Sequence, residues 1–140
     1  MEEIKSLTSF SKASGCGCKL PPALLAEILD GFTTGVAYPQ LLVGNDKADD
    51  ASVFKLNDTL ALLQTVDFFT PIVNDAFQFG RIGAANAISD IYAMGGKPVM
   101  ANVVLGFPAD SLTVAQIRAI LDGAASVCKE AGIPMAGGHS

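Results

Sequence analysis

Several shortages bound what this chain can do. Basic residues are few: 9 Lys and Arg stand against 14 Asp and Glu, for a formal charge of -5 and a pI near 4.6. Phosphate backbones and anionic bilayers select for the opposite balance, which argues against a nucleic-acid or membrane-surface role. Long apolar runs are also missing. None approaches the roughly 18 to 20 residues that cross a bilayer, and the opening Met1-Glu2-Glu3 lacks the basic-then-apolar pattern of a secretory leader. The expectation is a soluble, cytoplasmic protein. Soft metal ligands are scarce too, since the chain holds 3 cysteines and one histidine, His139. Cys16 and Cys18 are two ligands, too few for a closed zinc site. Neither the phosphate-binding Gly-x-x-x-x-Gly-Lys-Ser/Thr motif nor a Gly-x-Gly-x-x-Gly turn is present, so any nucleotide must be held by other means. No repeat, low-complexity tract or charge block marks a linker.

What the chain does have begins at Gly15-Cys16-Gly17-Cys18-Lys19. The glycines permit backbone angles and close approaches that other residues cannot make, and the lysine ammonium favours thiolate over thiol. Such a segment suits a nucleophilic site for sulfur or selenium transfer. A disulfide between Cys16 and Cys18 would be strained, and three cysteines leave one unpaired, so reduced thiols are expected. Cys128 lies inside an apolar helical pattern and reads as a buried small hydrophobe. With 140 residues, half of them hydrophobic, the chain is long enough for one domain with a core and too short for two.

The local pattern predicts a short helix opened by Pro21 and Pro22 and ended near Gly31. Strand-like runs follow at 41–43, 52–56 and 60–66, separated by turn residues and read as neighbours. A small-residue helix is expected from about Gly80 to Met94, stopped by Gly95 and Gly96. Residues 99–105 form a nearly continuous apolar run, predicting a core strand covered on both faces. Thr113 and Gln116 fit a capping box for a helix that Gly132 would end. The chain then runs through 133–136 into Gly137-Gly138-His139-Ser140, read as a working loop.

Carboxylates supply the second theme. Asp46, Asp49 and Asp50 share a loop with Gly44, Asp67 ends a strand, and Asp90 sits among apolar neighbours on a helix. A carboxylate on an apolar segment needs a cation, a hydrogen-bond network or an exposed edge. Magnesium takes oxygen ligands and only one or two protein carboxylates beside phosphate oxygens and water, so spread-out aspartates fit a metal carried on substrate. For Asp46 and Asp49 a solvated turn is an equally good reading, whereas Asp50, Asp67 and Asp90 favour function. The segments 44–46 and 137–140 offer backbone N–H groups to phosphate in the manner of turn nests. His139 reads as a base, a phosphate donor or a structural residue.

Together these segments resemble a family. GCGCK at 15–19, LLVGNDKADDASV at 41–53, TVDFFTPIV at 65–73, FGRIGAANAISDIYAMGGKP at 79–98 and AGGHS at 136–140 are similar, in order, to the N-terminal part of selenophosphate synthetase (selenide, water dikinase). That family belongs to a wider group of ATP-binding enzymes with aminoimidazole ribonucleotide synthetase and thiamine-monophosphate kinase. The GCGCK segment separates this chain from those relatives. The resemblance implies an α/β (α+β) fold with a mixed β-sheet and helices packed on one face. Residues 1–40 would form a glycine- and cysteine-rich flexible segment with a short helix, and 41–140 an incomplete ATP-binding domain. It implies a reaction in which ATP, selenide and water give selenophosphate, orthophosphate and AMP, with Mg²⁺ required. By motif position, Cys16 and Lys19 match the essential catalytic pair, and Asp50 and Asp90 match magnesium ligands. Lys19, Lys47, Ala48, Asp49, Asp67, Asp90, Gly138, His139 and Ser140 match the nucleotide site.

A homodimer joined through the N-terminal sheet also follows from the likeness, and the glycine-rich N-terminal segment is expected to act as a lid that closes over ATP. The family continues beyond the last motif into a further magnesium-binding aspartate and a second domain, so the chain is expected to be a fragment, with its own activity in doubt. Two other classes compete with the enzyme reading. One is a non-catalytic nucleotide-binding or dimerisation module; the other is a thiol-based metal or selenium carrier that would ignore ATP and Asp90→Asn.

Overall fold

The computed structural model describes residues 6–11, 21–32, 37–44, 49–68, 70–107 and 111–139. A 3₁₀ turn at Leu7–Phe10 precedes α1 (Pro22–Leu29), β1 (Leu41–Val43), β2 (Ser52–Asn57) and β3 (Leu60–Gln64). Next come α2 (Ala76–Ala93), β4 (Ala101–Val104), α3 (Val114–Glu130) and β5 (Met135–His139). The α/β class holds. Among the described residues its strands form two sheets: an antiparallel one in the order β1-β2-β3, and a parallel pair, β4-β5.

The β2–β3 hairpin closes because Asn57 Oδ1 accepts from both the backbone N–H and the hydroxyl of Thr59, at 2.9 and 3.0 Å. A short polar side chain that folds back onto its own turn competes with further extension of the strand. Along both strands burial alternates with period two, as half-covered strands require. Val53, Ala61 and Leu63 point to the covered side, where Leu63 lies beside Ile91 and Gly96. Leu41, Phe54 and Leu62 stand in cross-strand register on the other side, all exposed. The sheet therefore carries apolar side chains on a face that nothing among the described residues covers.

Helix α2 starts at Ala76, four residues before the sequence pattern predicts. Asp75 is the reason, since its carboxylate accepts the N–H of Gln78 at 2.8 Å and caps the first turn. Helix α3 has the predicted capping box, with Thr113 Oγ1 accepting from Gln116 N at 3.2 Å and Gln116 Oε1 accepting from Thr113 N at 2.9 Å. Thr113→Ala is expected to lower stability by about 1 kcal/mol. A urea titration followed by circular dichroism measures it, and Thr113→Ser should recover most of the loss.

Both long helices end in the same way. Gly95 and Gly132 adopt φ of 72° and 71°. Their N–H groups and those of the next residues return to the last helical turn: Gly95 N to Tyr92 O, Gly96 N to Ile91 O, Gly132 N to Lys129 O and Ile133 N to Cys128 O. These paired bonds are the Schellman arrangement, which needs a left-handed residue and so favours glycine. At the end of α3 the motif delivers Ile133 onto Cys128, and the two join Ile88 of α2 in the core cluster. Burial pushes the Cys128 thiol up from its ordinary value, so it stays protonated and inert, as the sequence reading expects.

Helices α2 and α3 pack at unusually close range. A Cβ at Gly80 would lie 1.9 Å from the Ile120 carbonyl oxygen, and one at Gly123 would lie 2.0 Å from that of Phe77. Arg81 fastens the same pair by donating to Ser126 Oγ at 2.8 Å and to Glu130 Oε1 at 2.9 Å. That hydrogen bond and the guanidinium charge hold the Glu130 carboxyl below the usual glutamate range. A carboxyl whose pKa falls on folding stabilises the fold above its unfolded value, about 4.3. The contribution disappears as pH drops through the lowered folded value. The advantage of wild type over Glu130→Gln is therefore expected near neutrality and should vanish on acidification. Urea midpoints between roughly pH 3 and 7 test this, and because the Glu130 side chain is 63% exposed the effect should be small.

Strand β4 is shorter and less covered than the apolar run implies. Only Ala101–Val104 pairs, and burial alternates along it, with Val104 64% exposed. One face packs toward α3 and the core cluster while the other is bare, so the expected two-sided cover is absent among the described residues. Parallel pairing with β5 across the α3 crossover is the usual way to join two such strands.

Candidate functional site

Antiparallel pairing gathers the carboxylates at one end of the three-stranded sheet. Val43 pairs with Val53 and Ser52 with Gln64, so the end of β1, the start of β2 and the end of β3 meet there. Ser52 Oγ reinforces the junction by donating to Gln64 O at 3.1 Å. Asp49 and Asp50, both exposed, lie just before β2, and Ala51 beside them is buried.

Past Gln64 the chain keeps its alternation. Thr65 and Asp67 are half-buried, while Val66 and Phe68 are 75% and 84% exposed. The inward pair meets α2: Thr65 Oγ1 donates to Asp90 Oδ2 at 2.8 Å, and Asn86 Nδ2 donates to Asp67 Oδ2. Asn86 and Asp90 stand one helical turn apart, so they share a face of α2. Asp90 is half-buried and satisfied by a hydroxyl, which answers how an apolar helix tolerates it. Sequence reasoning picked both aspartates and passed over their donors. The signal available was the four-residue spacing of Asn86 and Asp90 and the two-residue spacing of Thr65 and Asp67.

The N-terminal 3₁₀ turn is tied to the segment that follows Asp67. Asn74 Oδ1 accepts from Ser6 Oγ at 2.5 Å and from Thr8 N at 3.0 Å, and the Ser11 and Thr70 hydroxyls are 2.7 Å apart. Leu7, 1% exposed, anchors this turn. Residues 6–11 thus bring the chain against 70–74 just before the thiol segment. Cys16, Cys18, Lys19, Asp46, Lys47, Ala48 and Ser140 themselves lie outside the described residues.

Gly137, Gly138 and His139 require a correction. They form most of β5 rather than a loop, in register with Asn102, Val103 and Val104 of β4. An extended strand in a ladder lacks the alternating helical turn of a phosphate nest, so that reading fails at 137–139. Gly138 is held against Val103, whose carbonyl oxygen would be 1.7 Å from an added Cβ. His139 is exposed at the edge of an open depression of about 510 Å³, walled by Val103, Leu105, Leu121 and Met135.

Among the described residues no three His, Cys, Asp or Glu side chains converge to enclose a metal. The donors that are present are carboxylate oxygens, one or two to a locality, which fits a hard cation that brings phosphate and water ligands with it. No helix among the described residues is long and apolar enough to cross a membrane.

Residues 48–140 match the family model described as AIR synthase related protein, N-terminal domain. Similar curated proteins carry the name "Selenide, water dikinase". The one from Sulfurimonas denitrificans is 55% identical over 140 residues, covering 100% of this chain and 40% of its own length. That from Paraburkholderia xenovorans is 58% identical over 134 residues, covering 96% of this chain and 38% of its own, and that from Rhizobium meliloti is 52% identical with the same coverage. The chain thus spans about two fifths of the length of these curated relatives.

Proposed function

Because the chain belongs to the AIR synthase related protein family through its N-terminal domain, we propose that it is the nucleotide-binding part of a selenophosphate synthetase. The reading rests on one observation above the others. Two aspartates from separate elements, Asp67 on the extended chain after β3 and Asp90 on α2, are each held by a donor from the other element, at the sheet end where Asp49 and Asp50 also lie. Identity of 52–58% to proteins named for the dikinase supports the choice within the family.

In this reading one phosphoryl group of ATP is transferred to selenide, and a second leaves as orthophosphate with the oxygen of water, so AMP remains. Such transfers depend on positioning and charge neutralisation more than on covalent chemistry. Asp50 and Asp90 would hold Mg²⁺, which when bound offsets phosphate charge. Asp67, with Lys47, Ala48 and Asp49, would seat the nucleotide; Gly138 and His139 would touch it from β5, and Ser140 would touch it too. Lys19 would bind phosphate as a point charge, and Cys16 would hold or deliver selenium. The division at residue 40 is part of the same proposal: 1–40 would carry the thiols to a nucleotide domain formed by 41–140.

A homodimer through the three-stranded sheet is supported by the exposed Leu41, Phe54 and Leu62 face. The net charge of -5 supports small anionic substrates carried with metal, in the cytoplasm, rather than nucleic acid or membrane. The direct test is AMP formation from ATP in the presence of selenide and Mg²⁺. Product that depends on all three supports the enzyme reading. ATP binding without turnover would leave a non-catalytic nucleotide-binding module, and selenide binding that ignores ATP would leave a carrier.

A further inference from the structure

Residues 63–67 run along the C-terminal half of α2. Leu63 lies against Ile91 and Gly96, Thr65 reaches Asp90, and Asp67 reaches Asn86. Two residues of extended chain advance about 6.6 Å, and four residues of helix about 6.0 Å, so Asp67 meets the helix one turn further back than Thr65 does, at Asn86 rather than Asp90. The lowest step is apolar. The two above it are polar, and in each a neutral donor holds one oxygen of a carboxylate, with the donor on the extended chain in one step and on the helix in the other.

Neither Thr65 nor Asn86 is needed to make the fold close, since aliphatic side chains at the same steps would continue the Leu63 contact. Their hydrogen bonds do something an aliphatic contact cannot. A donor on Oδ2 fixes the plane of the carboxylate and directs the lone pairs of the other oxygen. Among the described residues Asp90 has no second side-chain partner, so Thr65 sets its orientation.

Resting on the nucleotide-site reading above, we propose that Thr65 and Asn86 are positioning residues, which aim the Asp90 and Asp67 carboxylates at the divalent cation and phosphates of bound ATP. They touch neither substrate nor metal. Their contribution is to remove the rotational freedom that each carboxylate would otherwise lose on binding, and so to set the metal concentration at which nucleotide is gripped.

The test is calorimetric binding of ATP to the full chain across a magnesium titration, with ligand-free thermal melts in parallel. Thr65→Val keeps shape and removes the donor, Thr65→Ser keeps the donor, and Asn86→Leu removes the second donor. The expected result is a rise of about 10-fold to 100-fold in the magnesium needed for half-saturation in Thr65→Val and Asn86→Leu. Thr65→Ser should stay within about twofold of wild type, because its hydroxyl makes the same bond. Wild-type magnesium dependence in Thr65→Val, or an equal shift in Thr65→Ser, overturns the proposal. Should Thr65→Val melt out, Asn86→Leu decides by the same criterion. Asp90→Asn separates the two levels of inference: if it binds ATP with unchanged magnesium dependence, the nucleotide-site reading itself fails.

Discussion

Replacing Gly80 or Gly123 by alanine is expected to destabilise the protein by about 3 kcal/mol, at the upper end of what an added methyl group costs in a packed interior. The cause is contact with backbone, which cannot rotate away. A methyl carbon 1.9 Å from the Ile120 oxygen, or 2.0 Å from the Phe77 oxygen, must retreat by on the order of 1.5 Å to reach an ordinary separation. That retreat parts α2 from α3. It loosens the Ile88, Cys128 and Ile133 cluster and lengthens the Arg81 bonds to Ser126 and Glu130. Against a total stability of roughly 5–15 kcal/mol, such a loss is large. Urea titrations by circular dichroism measure it, with Gly83→Ala as the control. Gly83 lies in the same helix with nothing within 4 Å of the added carbon. Gly83→Ala should therefore stabilise by about 0.5–1 kcal/mol through helix propensity alone. The double variant should cost less than the sum of the singles, since helices already parted for one methyl accommodate the other. If Gly80→Ala were as stable as Gly83→Ala, the close crossing would be wrong.

The second large effect concerns chemistry. Cys16→Ser is expected to reduce selenide-dependent AMP formation by about 10³-fold or more, equivalent to ~4 kcal/mol of barrier. A serine hydroxyl has the shape of the thiol but does not ionise near neutrality and has none of the thiolate's affinity for a chalcogen. Cys18→Ser should stay within about tenfold, because only one thiolate is asked to act as nucleophile. ATP affinity should be unchanged in both variants, since the nucleotide is assigned to carboxylates on other elements. Full turnover by Cys16→Ser would sink the assignment of the thiol, and loss of ATP binding along with activity would point to a folding defect instead.

Much of the architecture was legible in the residues. The α3 capping box and the glycine stops at 95 and 132 are local: each needs only a few neighbouring atoms, so a short sequence window holds the whole cause. The burial of Cys128 follows from helical spacing. The errors have a common origin. Asp75 capped α2 early because a single side chain outweighed the apolar period. Residues 137–139 read as a loop because glycine pairs mark turns, yet here Gly138 lies against Val103, a residue 35 positions earlier, and the absent side chain allows a strand. The run at 99–105 looked covered on both faces because apolarity records what a surface tolerates, and β4 shows a bare face.

The candidate site divides along the same line. Sequence alone singled out Asp67 and Asp90 as candidates, since a carboxylate near apolar neighbours is a cost that needs a reason, and it indicated the family through ordered motifs. Only the tertiary structure decided that Thr65 and Asn86 are their partners, that the two meet on one face of α2, and that Gly80 and Gly123 are contacts rather than flexible joints. Those facts depend on where one element lies against another. A chain's local pattern sets which elements form, while the distance between two carbonyl-lined helices, or between a strand's extension and a helix face, exists only once they have packed.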